Sequence, residues 1–148
     1  MTYPLPSGWQ EKKIIDISEV TSSKRIYEKE YVKNGVPFYR GKEISLLKNK
    51  EKIEEVIYIS EEKYTELKNK YGVPQKNDIL ITAVGTIGNA YMVDNNDPFY
   101  FKDGNLIWLK NIKEHPKFLT FLFEYNQNKI IEISMGSSQK ALTIIKLE

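Results

Sequence analysis

"QKNDILITAVGTIGNA", residues 75–90, reads as a strand, a turn held between two glycines, and a returning strand. Ile79, Ile81 and Ala83 alternate with Leu80 and Thr82, the period of two that puts successive side chains on opposite faces of a sheet. Gly85 and Gly88 enclose Thr86 and Ile87, and glycine at such a tip permits positive φ or lets another backbone come close. Phosphate-cradling loops also use glycine, but they need Lys followed by Ser or Thr after the last one. Here Gly88 is followed by Asn89 and Ala90, so the nucleotide-loop reading fails.

More short strands flank this hairpin. Upstream, "VPFYRGKEI" at 36–44 predicts a strand stiffened by Pro37 and leaving through Gly41, and Val56 to Ile59 form a β-branched and tyrosine cluster. Ser60, Glu61 and Glu62 then form a helix start, and "EEKYTELKNKY" predicts a helix over 61–71 that stops at Gly72. Downstream, "FYF" and "NLIWLK" predict two strands joined as a hairpin by Asp103-Gly104. Phe118, Leu119, Leu122, Phe123, Ile130 and Ile133 recur at helical spacing and predict the main amphipathic helix over 116–133, ended by Met135-Gly136. "TSSKRIYEKEYVKNG", polar with isolated tyrosines, reads as an exposed excursion. The expected fold is therefore α+β: a twisted, mostly antiparallel set of short strands packed against two main helices, in one domain over 1–148.

Composition removes several kinds of chemistry. The 148 residues carry 22 basic and 20 acidic side chains, net +2, so any nucleic-acid surface must be local. With no cysteine, disulfides and thiolate-bound metals are excluded. The single histidine, His115, stands before Pro116 where a solvated position beside a helix is expected, so a histidine metal site or a Ser-His-Asp triad is hard to build. "MTYPLPSGW" lacks the basic flank and apolar run of a signal peptide, and no apolar stretch approaches the roughly 18 residues of a membrane span. A soluble cytoplasmic protein with no membrane partner is expected.

"DPFY", 97–100, lies close to the Asp/Asn-Pro-Pro-Tyr/Phe motif of amino-methyltransferases, but Phe99 replaces the second proline and no cofactor loop precedes it. "EEK", 61–63, is an acid-x-Lys pattern too common to define a nuclease. A small nuclease or methyltransferase fragment using Asp97 or Glu62 stands as one alternative, and a protein-protein interaction module as another. Ten tyrosines, with Lys24, Arg25, Arg40 and Lys42 among them, supply phosphate donors and stacking faces.

Six pieces in order resemble the target recognition domain of type I restriction-modification specificity subunits. They are "LPSGWQEKKIIDI", "GVPFYRGKEI", "KNDILITAVGTIGNAYMV", "GNLIWLK", a phenylalanine-rich helix, and "MGSSQKAL" near the end. The resemblance spans essentially the whole chain. It implies sequence-specific binding of double-stranded DNA, without catalysis, metal or cofactor, that directs partner methyltransferase and restriction subunits, with a second specificity half-subunit as a further partner. It also implies that the glycine-flanked turn shapes the domain while residues in the variable segments read DNA. The expected DNA-binding residues are Lys24, Arg25, Tyr27, Tyr39, Arg40 and Lys42, in exposed non-periodic segments, and Ser137, Ser138, Gln139 and Lys140, in a polar loop after Gly136. In "ALTIIKLE", Leu142, Ile144, Ile145 and Leu147 are expected to begin the helix that pairs with a second specificity half, so that the chain stops where this spacer would start.

Overall fold

The computed structural model describes residues 9–83, 88–125 and 143–147. In chain order these form β1 (Trp9–Lys13), α1 (Ile14–Ile17), β2 (Glu19–Thr21), a short 3-10 turn at Glu28–Glu30, β3 (Tyr31–Val32), β4 (Val36–Tyr39), α2 (Gly41–Lys48), β5 (Ile57–Ile59) and α3 (Glu61–Lys70). They continue with β6 (Ile79–Thr82), β7 (Ala90–Met92), β8 (Tyr100–Phe101), β9 (Leu106–Lys110), α4 (Pro116–Tyr125) and β10 (Thr143–Leu147). The strands make two four-stranded sheets, in the orders β2-β9-β6-β7 and β3-β5-β4-β8, and a separate pair, β1-β10. Every pairing is antiparallel except that of β4 with β8.

The hairpin at 75–90 is the centre of the first sheet. Ile79, Leu80 and Ile81 face Met92, Tyr91 and Ala90 on one side and Leu109, Trp108 and Ile107 on the other. Gly88 has φ +88°, where glycine is favoured, and its N–H returns to the Thr82 carbonyl to close the hairpin. The alternation of side chains divides the interior. Ile79, Ile81, Ile107 and Leu109 pack with Ile14, Ile17, Leu119, Leu122 and Phe123, so α1 and α4 cover one face. Leu80, Leu106 and Trp108 pack on the other face with Ile44 of α2 and with Phe99 and Phe101. Phe38 and Tyr100 point away from that layer into a third cluster with Val36, Ile59, Leu67 and Val73, against α3. The period of two in β4, β6, β8 and β9 thus feeds two apolar layers rather than one.

Helix α3 begins as its residues require. Ser60 Oγ accepts the Lys63 N–H at 3.1 Å, and Glu61 and Glu62 occupy the first turn. At the other end the N–H groups of Tyr71 and Gly72 both return to the Leu67 carbonyl. Helix α4 starts at Pro116 and buries Leu119, Leu122 and Phe123; the expected continuation beyond residue 125 lies outside the described residues.

Four expectations need correction. Gly41 does not close a strand: it opens α2, because Glu43, three residues after Arg40, folds back to accept the Arg40 N–H and cap the turn, a helix start hidden by the preceding strand residues. Asp103-Gly104 does not join a hairpin. β8 pairs with β4 in one sheet and β9 with β2 and β6 in the other, so the turn carries the chain between sheets. The polar excursion after residue 21 is pinned, with Ser23 and Ile26 buried and β3 paired to β5. Residues 143–147, expected to start a helix, form β10 antiparallel to β1, with Trp9 opposite Leu147 and Lys13 opposite Thr143; β-branched Thr143, Ile144 and Ile145 suit a strand.

A buried carboxylate ties the hairpin to β9. Asp78 Oδ2 accepts the Gln75 N–H and the Trp108 Nε1–H, each at 2.9 Å. Burial pushes the Asp78 carboxyl above its ordinary value, and these two hydrogen bonds with the Lys110 charge only partly oppose that. For a carboxyl whose folded pKa is raised, the folded state loses stability as pH rises through the unfolded value towards the folded one. Asp78→Asn keeps an acceptor without the charge. It should therefore match or exceed the wild type in urea unfolding at neutral pH and lose that advantage below the ordinary aspartate pKa. Asp78→Ala, which strands both donors, should cost about 2–4 kcal/mol. Gly35 makes a second test of the fold: a Cβ there would collide with the Ile59 carbonyl oxygen between β3 and β4, so Gly35→Ala should lower the thermal midpoint sharply.

Candidate nucleic-acid interface

Residues 22–27 have no regular structure, yet three bonds and contacts fix them. Ser23 Oγ donates to the Phe101 carbonyl at 2.7 Å, the Lys24 N–H donates to the Tyr100 hydroxyl at 2.6 Å, and Ile26 is buried in the cluster around Phe38. Between and just after these anchors the side chains of Lys24, Arg25 and Tyr27 stand outward. Lys24 Nζ lies 4.5 Å from the centre of the Tyr71 ring, at the end of α3, and Lys29 Nζ lies 5.9 Å from that of Tyr27. Arg25 Nε donates to Asp103 Oδ2 at 3.2 Å, and the guanidinium pKa is raised, first by that hydrogen bond and then by the carboxylate's charge, with Tyr27 contributing less.

The turn after β8 joins this segment to a second one. Lys102 N–H donates to the Tyr39 carbonyl and Gly41 N–H to Asn105 Oδ1, so the loop that holds Arg25 also holds the start of α2. There Arg40 makes a two-pronged bond to Glu43, Nε to Oε1 at 2.9 Å and Nη2 to Oε2 at 3.1 Å, while Oε1 also accepts the Arg40 N–H. Glu43 is buried and Arg40 half-exposed, so this pair is first a helix cap. Lys42 is exposed beside a polar cleft of about 350 Å³ that Arg40, Lys52, Glu54 and Glu55 also line. Tyr39 is only partly exposed and packs on Phe99 with ring centres 5.4 Å apart.

The fold thus gathers Lys24, Arg25 and Tyr27 on one segment, and links Tyr39, Arg40 and Lys42 to it through the 102–105 turn. Ser137, Ser138, Gln139 and Lys140 lie outside the described residues. The sequence did not single out Tyr71, Asp103, Asn105 or Glu43. Glu43 had a signal in its spacing three after a cap position; Asp103 reads locally only as a turn former and Asn105 as the start of a strand, and nothing local marks Tyr71. Asp97 sits in the loop before β8 and Glu62 in the first turn of α3; among the described residues no three acidic or histidine side chains converge as a metal site would need. No helix among the described residues is long and apolar enough to cross a membrane.

The capping pair Arg40–Glu43 and the outward lysines should separate in stability measurements. Glu43→Ala removes a buried cap and is expected to cost about 1–2 kcal/mol in urea unfolding. Lys24→Ala and Lys42→Ala should leave the unfolding midpoint where it is.

Residues 6–148 match the family model of the type I restriction modification DNA specificity domain. A Haemophilus influenzae protein named as a type I restriction enzyme specificity subunit, S.HindORF215P, is 38% identical over 97 residues, covering 65% of this chain and 23% of that protein. The HsdS subunit of Thermoanaerobacter tengcongensis superposes with a TM-score of 0.69 over 97% of this chain and 34% of its own, at 16% identity. The S subunit of the type I restriction-modification system of M. genitalium gives 0.60 over 95% and 35%, at 15% identity. These two structures share the fold, and the chain spans about a third of their length and about a quarter of the Haemophilus relative. With the family model covering all but its first residues, the chain belongs to the type I restriction modification DNA specificity domain family.

Proposed function

We propose that this chain recognises double-stranded DNA by sequence, as one target recognition module of a type I restriction-modification specificity subunit. The family match over residues 6–148 carries this reading. The outward set of Lys24, Arg25 and Tyr27, with Tyr71 beside it, supports it: cations for phosphates and aromatic faces, held on a pinned backbone. The module does no bond chemistry. Its work is to set where companion modification and restriction subunits act, and a second specificity half supplies the other part of a divided target.

A weakly charged module depends on local contacts. Lysines that touch phosphates give affinity without sequence, and side chains that reach base edges give sequence. Selection from random duplex DNA, followed by anisotropy titration of the recovered sequence and a scrambled one, should show preference for the recovered duplex. Equal affinity for the two would overturn the reading. Lys24→Ala should weaken binding to both alike and flatten the salt dependence by about one unit. Joining a second recognition module through a rigid spacer should raise affinity for a two-part target by roughly 10²–10⁴.

A further inference from the structure

Within that proposed DNA surface the positive side chains are not equivalent, and the geometry points to Arg25 as a base-reading residue, with Asp103 as the residue that positions it. This inference rests on the DNA-recognition reading and assigns a role inside it.

A side chain that discriminates bases must arrive at one place in one orientation, since most of a floppy donor's advantage is lost in ordering it. Arg25 meets that demand from both directions. Its backbone lies between Lys24, whose N–H is bonded to the buried Tyr100, and Ile26, which is 5% exposed. Its side chain is 67% exposed, yet its Nε is bonded to Asp103, and Asp103 is itself only 23% exposed, in a turn held by the Asn105 N–H to Lys102 carbonyl bond.

Stereochemistry then limits what Arg25 can do. The carboxylate is met at Nε, so the terminal fork of Nη1 and Nη2 is not used by the pair. That fork is the part of a guanidinium that matches the O6 and N7 acceptors of guanine in the major groove. The neighbouring carboxylate also counts against a purely electrostatic role. It cancels much of the attraction for phosphate while leaving directional N–H donors in place, which favours a neutral acceptor edge over a phosphate. Among the described residues no carboxylate pairs with Lys24; it lies over Tyr71 and retains a point charge suited to the backbone. Gly104, next to Asp103, has open space where a Cβ would be, so a duplex can come close to this turn.

The test is a base-by-base competition titration, using the duplex selected by the wild-type chain and all its single base-pair variants. The proteins are wild type, Arg25→Ala, Arg25→Lys and Asp103→Asn, each checked for an unchanged thermal midpoint. Arg25→Ala should lose roughly ten- to a hundredfold of discrimination at one G·C pair, keep it at the others, and keep the salt slope. Arg25→Lys should not restore it, because an ammonium has no fork. Asp103→Asn should relax preference at that same pair only, which a general loosening of the turn would not do. Uniform weakening on all duplexes with a slope reduced by about one would make Arg25 a phosphate contact and overturn the inference. So would an unaltered preference profile in Arg25→Ala. A wild type without sequence preference would instead remove the DNA-recognition reading itself, and this inference with it.

Discussion

One oxygen, Oδ2 of Asp78, holds together parts of the chain that are thirty residues apart. It closes the turn that leads into β6 and fixes the indole of Trp108 on β9, its neighbour in the sheet. The indole in turn stands edge-on to Phe101, with ring centres 5.6 Å apart and planes at 88°, and Phe101 belongs to the other sheet. A carboxylate is costly to bury, and here its two donors come from elements whose relative position it thereby specifies. From Phe101 the chain runs directly into the turn that carries Asp103 and Asn105. The geometry of the outward surface is therefore set deep in the protein, through a path of one hydrogen bond and one ring contact.

The layered interior explains why such a small sheet can be rigid. Strands of two to five residues bury little area singly. Because β6 and β9 are buried on both faces, almost every residue of each contributes to a cluster, and two sheets share the layer formed by Leu80, Trp108, Phe101 and Ile44. An apolar side chain of this size, fully buried, is worth about 1.5–3 kcal/mol. Deleting one in the shared layer loosens both sheets, so this layer is where the fold is least tolerant of substitution.

Local signals in the sequence marked the elements more reliably than their partners. The alternation at 79–83, the Ser60 cap and the apolar spacing after Pro116 each depend on near neighbours, and each element is found where that local chemistry places it. What escaped was long-range. No feature of "FYFKDGNLIWLK" tells that its two strands separate into different sheets, since Asp-Gly turns serve either arrangement. The cap at α2 was masked because Arg40, directly after β4, is not a usual N-cap residue and Gly41 behind it reads as a strand exit. The same holds for the surface: Lys24, Arg25 and Tyr27 could be chosen for exposure, but Tyr71 and Asp103 join them only through contacts spanning the fold.

The pairing of β1 with β10 has a consequence for how such a module can be used. Residues from the two extremes of the described chain lie side by side in antiparallel register. A polypeptide that enters and leaves through adjacent strands asks of its host only two neighbouring attachment points, whatever surface it displays elsewhere. The outward residues at 24–27 belong to neither of these strands, so their chemistry can be altered while β1 and β10 keep their register.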